Sequence, residues 1–199
     1  MSLKSILAHS ALYSLFQDCI GASKFRKLLA ESYVRGKSGD RVLDIGCGTG
    51  NILEHLKGLD YHGFDMNAVY IERARKKYGK AGQFTCGNVV TADIEPKSFD
   101  VVLASGILHH LSDEETQSLF RLAASVLKPG GRLVTLDGCY AQNQSRIARY
   151  LISKDRGEYM RNQEEYYRLA SKVFSEIKTS LRHDLLRIPY TLLIMEMAK

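Results

Sequence analysis

The chain has little that marks a membrane, secreted or metal-bound protein. No apolar run is long enough to span a bilayer. Near the start, Lys4 is followed by Ile6-Leu7-Ala8, but His9, Gln17 and Asp18 interrupt the pattern, which predicts an amphipathic helix rather than a signal peptide. The four cysteines, Cys19, Cys47, Cys86 and Cys139, are scattered and show no metal-ligand spacing. No metal is expected, and a reduced, cytoplasmic protein is the simplest reading. There is no internal repeat, no low-complexity tract and no long linker. Prolines are scarce, three in all, and two of them (Pro129, Pro189) stand between apolar segments as breaks.

What is present is an ordinary globular composition. The 199 residues, 45% hydrophobic and 25% charged, suffice for one domain with a substantial core. Lys and Arg number 28 against 22 Asp and Glu, a net charge of +6. That balance permits an anionic partner without establishing one, because the basic residues are spread along the whole chain.

From about residue 40, strand-like and helix-like segments alternate. Strands are predicted at Arg41–Ile45, Tyr61–Phe64, Gln83–Cys86, Phe99–Ala104 and Arg132–Leu136. Helices are predicted at Asn51–Lys57, Asn67–Tyr78 and Asp113–Leu127, the last stopped by Lys128-Pro129-Gly130-Gly131. This rhythm implies right-handed βαβ crossovers and a mostly parallel sheet with helices on both faces. Residues 1–38 read as an N-terminal helical cap that Gly21 divides in two. After Asp137 the rhythm changes. Residues 140–162 read as an insertion with a helix near Gln142–Ile152, followed by a helix at Glu164–Phe174 and two strands, Ile177–Leu185 and Tyr190–Met197.

The stretch Val42-Leu43-Asp44-Ile45-Gly46-Cys47-Gly48-Thr49-Gly50-Asn51 carries the most chemistry. A buried strand ends in an acid, breaks into three alternate glycines and runs into a helical pattern. Such a turn lets the backbone approach a nucleotide closely. The spacing is Gly-x-Gly-x-Gly, not the Gly-x-Gly-x-x-Gly of a pyrophosphate cradle. With Asp44, it suits a nucleoside that carries an amino group and no phosphate. About twenty residues on, Asp65 ends the next strand, where an acid can accept both hydroxyls of a ribose; as an alternative it caps the helix that follows. Gly87-Asn88-Val89 comes after the third strand, where it is either a ligand loop or a plain turn. Phe99 to Leu111, with Ser105-Gly106 and His109-His110, leads on to the Lys128–Gly131 stop.

The glycine loop resembles motif I of the class I S-adenosylmethionine-dependent methyltransferases, and the three later signals follow in that family's order. Phe99–Leu111 and Leu127–Gly131 are similar to the fourth strand and fifth-strand turn of small-molecule members, including the quinone-biosynthesis type. The resemblance implies a Rossmann-like, seven-stranded, mostly parallel sheet whose last strand is antiparallel. It implies S-adenosylmethionine as cofactor, held by Asp44, Gly46, Cys47, Gly48, Asp65, Met66, Asn88, Val89, Ser105 and Gly106. Related enzymes commonly have Asp where this chain has Asn88; the Asn oxygen can still accept from an adenine amino group.

Because a sulfonium methyl is already activated, a base is required only if the acceptor must lose a proton. Candidates are His109, which either touches substrate or packs in the core, Asp137, which either orients an acceptor or caps a loop, and Tyr13 on a helix that closes over the cofactor in similar enzymes. Gln17 lies one turn from Tyr13. The 140–162 segment carries Arg146, Arg149, Lys154, Arg156 and Arg161 with Tyr150 and Tyr159 between them. It is expected to be a lid over a small-molecule acceptor, with anionic acceptors the class that arginine forks suit; the alternative is a solvated loop. His183 and Asp184 are expected to be structural. A nucleic-acid methyltransferase fits the charge but lacks the Asn/Asp-Pro-Pro-aromatic and Pro-Cys motifs after the fourth strand. A non-catalytic binding protein stays open, as does the oligomeric state.

Overall fold

A computed structural model describes residues 21–199. The first predicted helix, with Tyr13 and Gln17, lies outside the described residues. Gly21, at φ +94°, starts helix α1 (Ala22–Leu28), which widens into a π-helical turn, Leu29–Val34. The strands are β1 (Arg41–Ile45), β2 (Asp60–Asp65), β3 (Gln83–Cys86), β4 (Phe99–Ser105), β5 (Leu127–Tyr140), β6 (Arg161–Asn162), β7 (Glu176–Arg182) and β8 (Leu192–Ala198). Between them come α2 (Ala68–Tyr78), α3 (Asp113–Val126), α4 (Arg146–Ser153) and α5 (Gln163–Ala170). The segment after the glycine loop is a short 3₁₀ turn, Asn51–His55, rather than the predicted two-turn helix.

The sheet order is β3-β2-β1-β4-β5-β8-β7, with β6 paired to β5 off that path. β1 to β5 are parallel, and β8 lies antiparallel between β5 and β7. This is the architecture the family resemblance implies. Strands buried on both faces read as continuous apolar runs, and alternate residues go to opposite faces. Leu43, Ile45, Val102 and Ala104 join one core with Leu119, Phe120 and Ala123 of α3 and Tyr166 of α5. Val42, Val101 and Leu103 join the other, with Leu29 and Val34 from the N-terminal helical turns and Ile71 and Ala74 of α2.

α3 starts on a capping box: Ser112 accepts from the Glu115 amide and Glu115 from the Ser112 amide, with three acids in the first turn. It ends at Val126, and Lys128–Gly131 continues into β5. β5 runs past the predicted Leu136 to Tyr140, because Gly138 still pairs with Leu192 and Cys139 and Tyr140 pair with β6. The strand thus projects beyond β4, whose last partner is Leu136.

Candidate active site

The parallel strands bring four loops to one edge. The carboxyl ends of β3, β2, β1 and β4 present Asn88, Asp65, the 46–50 loop and Ser105-Gly106 side by side. Ligands of open α/β sheets bind at this edge, where the order turns from β1 outward on both sides.

The glycine loop spends its amides inside the protein. Gly46 and Cys47 donate to the Phe64 carbonyl at 2.8 and 3.0 Å, Gly50 to the Cys47 carbonyl at 2.9 Å, and Gly48 to Oδ2 of Asp65 at 2.9 Å. A phosphate-binding turn keeps such N–H groups free. This loop does not, which agrees with a ligand lacking phosphate. At Gly48 (φ +55°) and Gly106 (φ +71°) an added Cβ would meet nothing within 4 Å, so both backbones face open space. The Cys47 sulfur instead turns back onto β2, 2.8 Å from where a Gly63 Cβ would stand. Burial and the charges of Asp44 and Asp65 push its thiol up, so it stays protonated.

Asp65 holds both sides of the edge. Besides Gly48, its Oδ1 accepts from the Asn67 amide at 2.8 Å. The cap of α2 is Asn67, whose Oδ1 accepts from the Val69 and Tyr70 amides; the helix-cap alternative for Asp65 is therefore not what the structure shows. Met66 beside it is 77% exposed, a large apolar side chain left open next to a half-buried acid. Asn88 Oδ1 accepts from the Val90 amide at 2.9 Å, while the Val89 side chain is buried in the core, leaving only its backbone toward the edge. Asp44 is buried and accepts from the Tyr61 hydroxyl at 2.5 Å. Burial raises its pKa to about 7 against the effect of that bond, and the Asp65 charge adds to the rise.

A second cluster stands on the β4–β5 side. His109 sits in the 3₁₀ turn after β4 and is buried. Its Nδ1 lies 2.7 Å from Asp137 Oδ1, which also accepts the His109 backbone amide at 3.2 Å. Its Nε2 faces Asp155 Oδ1 at 3.4 Å. Tyr190 donates to Asp155 Oδ2 at 2.8 Å, and Asp137 Oδ2 is buried without a partner among the described residues. Burial alone would lower the His109 pKa; the hydrogen bonds and charges of Asp137 and Asp155 overcome it and hold the value at about 9. Burial raises Asp137 in spite of His109, whereas His109 and Tyr190 hold Asp155 well below the usual carboxylate range. Both His109 nitrogens are thus engaged, and His110, with its ring 4.1 Å away, is the exposed member of the pair.

The 140–162 segment supplies the cover of this cluster. Tyr159 donates its amide to the His109 carbonyl at 3.0 Å. Arg161, grouped with the lid arginines from sequence, is buried and committed elsewhere: its guanidinium donates to the Leu108 and Leu111 carbonyls at 3.0 and 2.8 Å and pairs with Asp113. It pins the segment and is not available to a ligand. Asp155 and Tyr190 were not legible as site residues, because they lie 46 and 81 positions beyond His109 and no local motif surrounds them. His183 bonds Thr191 and Asp184 pairs with Arg182 on the outer strands. Gly157 packs so closely that a Cβ would fall 2.2 Å from His109 Cδ2. Gly157→Ala is accordingly expected to lift the 155–159 loop, costing about 1–3 kcal/mol. Melting curves with limited trypsin digestion check this, since cleavage at Lys154 and Arg156 should rise more than global unfolding explains.

A family model described as a methyltransferase domain matches residues 42–131. A ubiquinone biosynthesis O-methyltransferase of Idiomarina loihiensis is 33% identical over 143 residues, 65% of this chain and 58% of that one. A phosphoethanolamine N-methyltransferase 2 of Haemonchus contortus, solved with S-adenosyl-L-methionine, is 28% identical over 79% of this chain and 38% of that one, with a TM-score of 0.65. A TehB-like S-adenosylmethionine-dependent methyltransferase of Corynebacterium glutamicum shares the fold at 19% identity and a TM-score of 0.70, over 96% of this chain and 98% of that one. The chain spans about half to two thirds of the length of most of the curated relatives it matches. The matched residues run from β1 into the start of β5, the span over which glycine loop, ribose-type acid and fourth-strand motif follow in order, and over that span the chain carries a methyltransferase domain similar to that of the class I S-adenosylmethionine-dependent methyltransferases.

Proposed function

We propose that the protein transfers the methyl group of S-adenosylmethionine to a small-molecule acceptor. One observation carries this reading: the glycine loop and Asp65 are tied to each other at the carboxyl edge, with the Gly46, Cys47, Gly48 and Gly50 amides used internally and the Gly48 face open. The residues fit the cofactor without a phosphate site. Asp65 would accept the ribose hydroxyls, Met66 and Asn88 would flank the adenine, and Asp44, with Gly46, Gly48, Ser105 and Gly106, would receive the methionine end. Cys47 and Val89 would contribute backbone only. When bound, the cofactor supplies a methyl group activated for in-line displacement.

The chain's own task is then to hold the acceptor and keep water out. The 140–162 segment lies over the turn that follows β4, as a lid over the acceptor pocket would, and Tyr13 is proposed to close the same side from the N-terminal cap. His109 and Asp137 serve as positioning groups in this arrangement, since an acceptor reaches His109 Nε2 only where Asp155 has moved off it. The Idiomarina and Haemonchus relatives are named for small-molecule chemistry, which supports the same class of acceptor here.

Transfer is tested by incubating the protein with S-adenosylmethionine and a panel of acidic metabolites, quinone precursors and sugar derivatives, and measuring S-adenosylhomocysteine. Acceptor-dependent product is expected. Shortening the 146–158 stretch should spare cofactor affinity and abolish transfer, because positioning supplies much of the rate; undiminished turnover by the shortened protein would remove the lid from the account. Asp44 adds a pH prediction. With its pKa raised to about 7, a cationic ligand end binds best to the ionised form. Cofactor affinity should therefore rise between pH 6 and 8, with protons released on binding, as calorimetry in buffers of different ionisation heat would show.

A further inference from the structure

The outer side of α4 and the end of β5 enclose an open groove of about 350 Å³, lined by Tyr140, Arg146, Arg149, Tyr150 and Ser153. α4 is held down by its buried Ala148 and Ile152, and this leaves Arg146, Arg149 and Tyr150 exposed on the side the groove uses. The Arg149 guanidinium stands 5.3 Å over the Tyr140 ring, and the Lys154 ammonium 5.6 Å from the Tyr150 ring. Stacking on an aromatic face fixes a guanidinium while leaving its N–H fork free.

The charges in this groove are uncompensated. Four other arginines are answered by carboxylates: Arg161 by Asp113, Arg182 by Asp184, Arg41 by Asp60 and Arg35 by Glu196. Arg146 and Arg149 have no carboxylate partner among the described residues. The sequence from Tyr140 to Lys154 contains no Asp or Glu at all, and Asp155, the next acid, is taken by His109 and Tyr190. Tyr140 lies four residues past Leu136, the last β5 partner of β4, so the groove stands on the order of 10 Å above the sheet edge.

We propose that this groove binds the anionic end of the acceptor, a phosphate or carboxylate group carried on a flat or apolar body, with Arg146 and Arg149 as its forks and Tyr140 and Tyr150 as its walls. The inference rests on the methyl-transfer reading for what the acceptor is, but not for whether the anion binds. It makes the acceptor a molecule whose anionic end lies on the order of 10 Å from the methylated atom.

The test uses the full chain saturated with S-adenosylhomocysteine and titrated at low salt with phenyl phosphate, benzoate and uncharged benzyl alcohol. Phenyl phosphate and benzoate should bind and benzyl alcohol should not, and the ratio of the first two shows which anion the groove prefers. Arg146→Gln and Arg149→Gln should each weaken the anions about tenfold, as loss of one charged hydrogen-bond partner does. Both variants should leave melting temperature and S-adenosylhomocysteine affinity unchanged, since the side chains are exposed. Unchanged anion binding in the double variant would overturn the proposal, as would equal affinity for benzyl alcohol. Binding confined to anionic phosphatidylserine vesicles, with no small anion bound, would overturn it in favour of a membrane surface. Failure of S-adenosylhomocysteine to bind would sink the methyl-transfer reading instead, and the phenyl phosphate titration of the same samples would still decide the groove.

Discussion

Asp65→Ala is expected to weaken S-adenosylhomocysteine binding by about 30- to 1,000-fold, equivalent to about 2–4 kcal/mol from two charge-assisted ribose bonds. The structure sharpens the experiment, because the same carboxylate accepts the Gly48 and Asn67 amides. Removing it leaves the glycine loop untied as well as the ribose unbound. Asp65→Asn separates the two roles in part: its oxygen can keep one of these amides, while its NH₂ would confront the other and offers the ribose no charge. If Asp65 only shapes the loop, both variants should lose stability and affinity in proportion. The ribose role requires affinity to fall much further than melting temperature in both. An affinity within threefold of the unaltered protein would remove Asp65 from the cofactor site.

His109→Ala is expected to cost about 3–5 kcal/mol of stability, because it leaves Asp137 buried and unpaired. The pH dependence gives an independent reading. The folded pKa of about 9 lies above the ordinary 6.5 of an imidazole. The stabilisation from protonated His109 is therefore complete below about pH 6.5 and lost as pH rises through about 9. By linkage it amounts to about 3 kcal/mol, from which the cost of burying Asp137 subtracts. Asp155, held below its ordinary range, contributes in the opposite sense, losing its share only as pH falls into the acid range. Urea unfolding at several pH values between 7.5 and 9.5, above the range in which Asp44 titrates, should show stability falling with pH more steeply in the unaltered protein than in the variant. An equal slope in both would mean that His109 is not charged in the folded state.

The parts of this molecule that could be read from sequence are those written locally. β1 and β3 fall on the predicted residues because β1 is a short apolar run ended by glycine, and β3 is a short β-favouring stretch, with Phe84 buried, ended by the Gly87-Asn88 turn. α3 is marked by its acidic first turn and the Pro-Gly stop. The four loops of the carboxyl edge follow from βα alternation alone. What could not be read depends on contacts far apart in the chain. Arg161 resembles any loop arginine until the turn carbonyls of Leu108 and Leu111 come within its reach. Asp155 becomes a partner of His109 only because β6 draws the 155–161 stretch back beside β5. The extension of β5 to Tyr140 is likewise set by the strands that return to pair with it, not by its own Gly138. The assignment of Asp65 turned on one position: Asn67, two residues later, takes the helix cap and frees the acid for the loop.

The central claim is that the edge built by the 46–50 loop and Asp65 holds an adenosyl amino acid rather than a dinucleotide. Titration calorimetry of the purified protein with S-adenosylhomocysteine tests it most directly, with NAD as the comparison. Saturable one-to-one binding of S-adenosylhomocysteine and no response to NAD is the result predicted. Tight NAD binding with no heat from S-adenosylhomocysteine would contradict it.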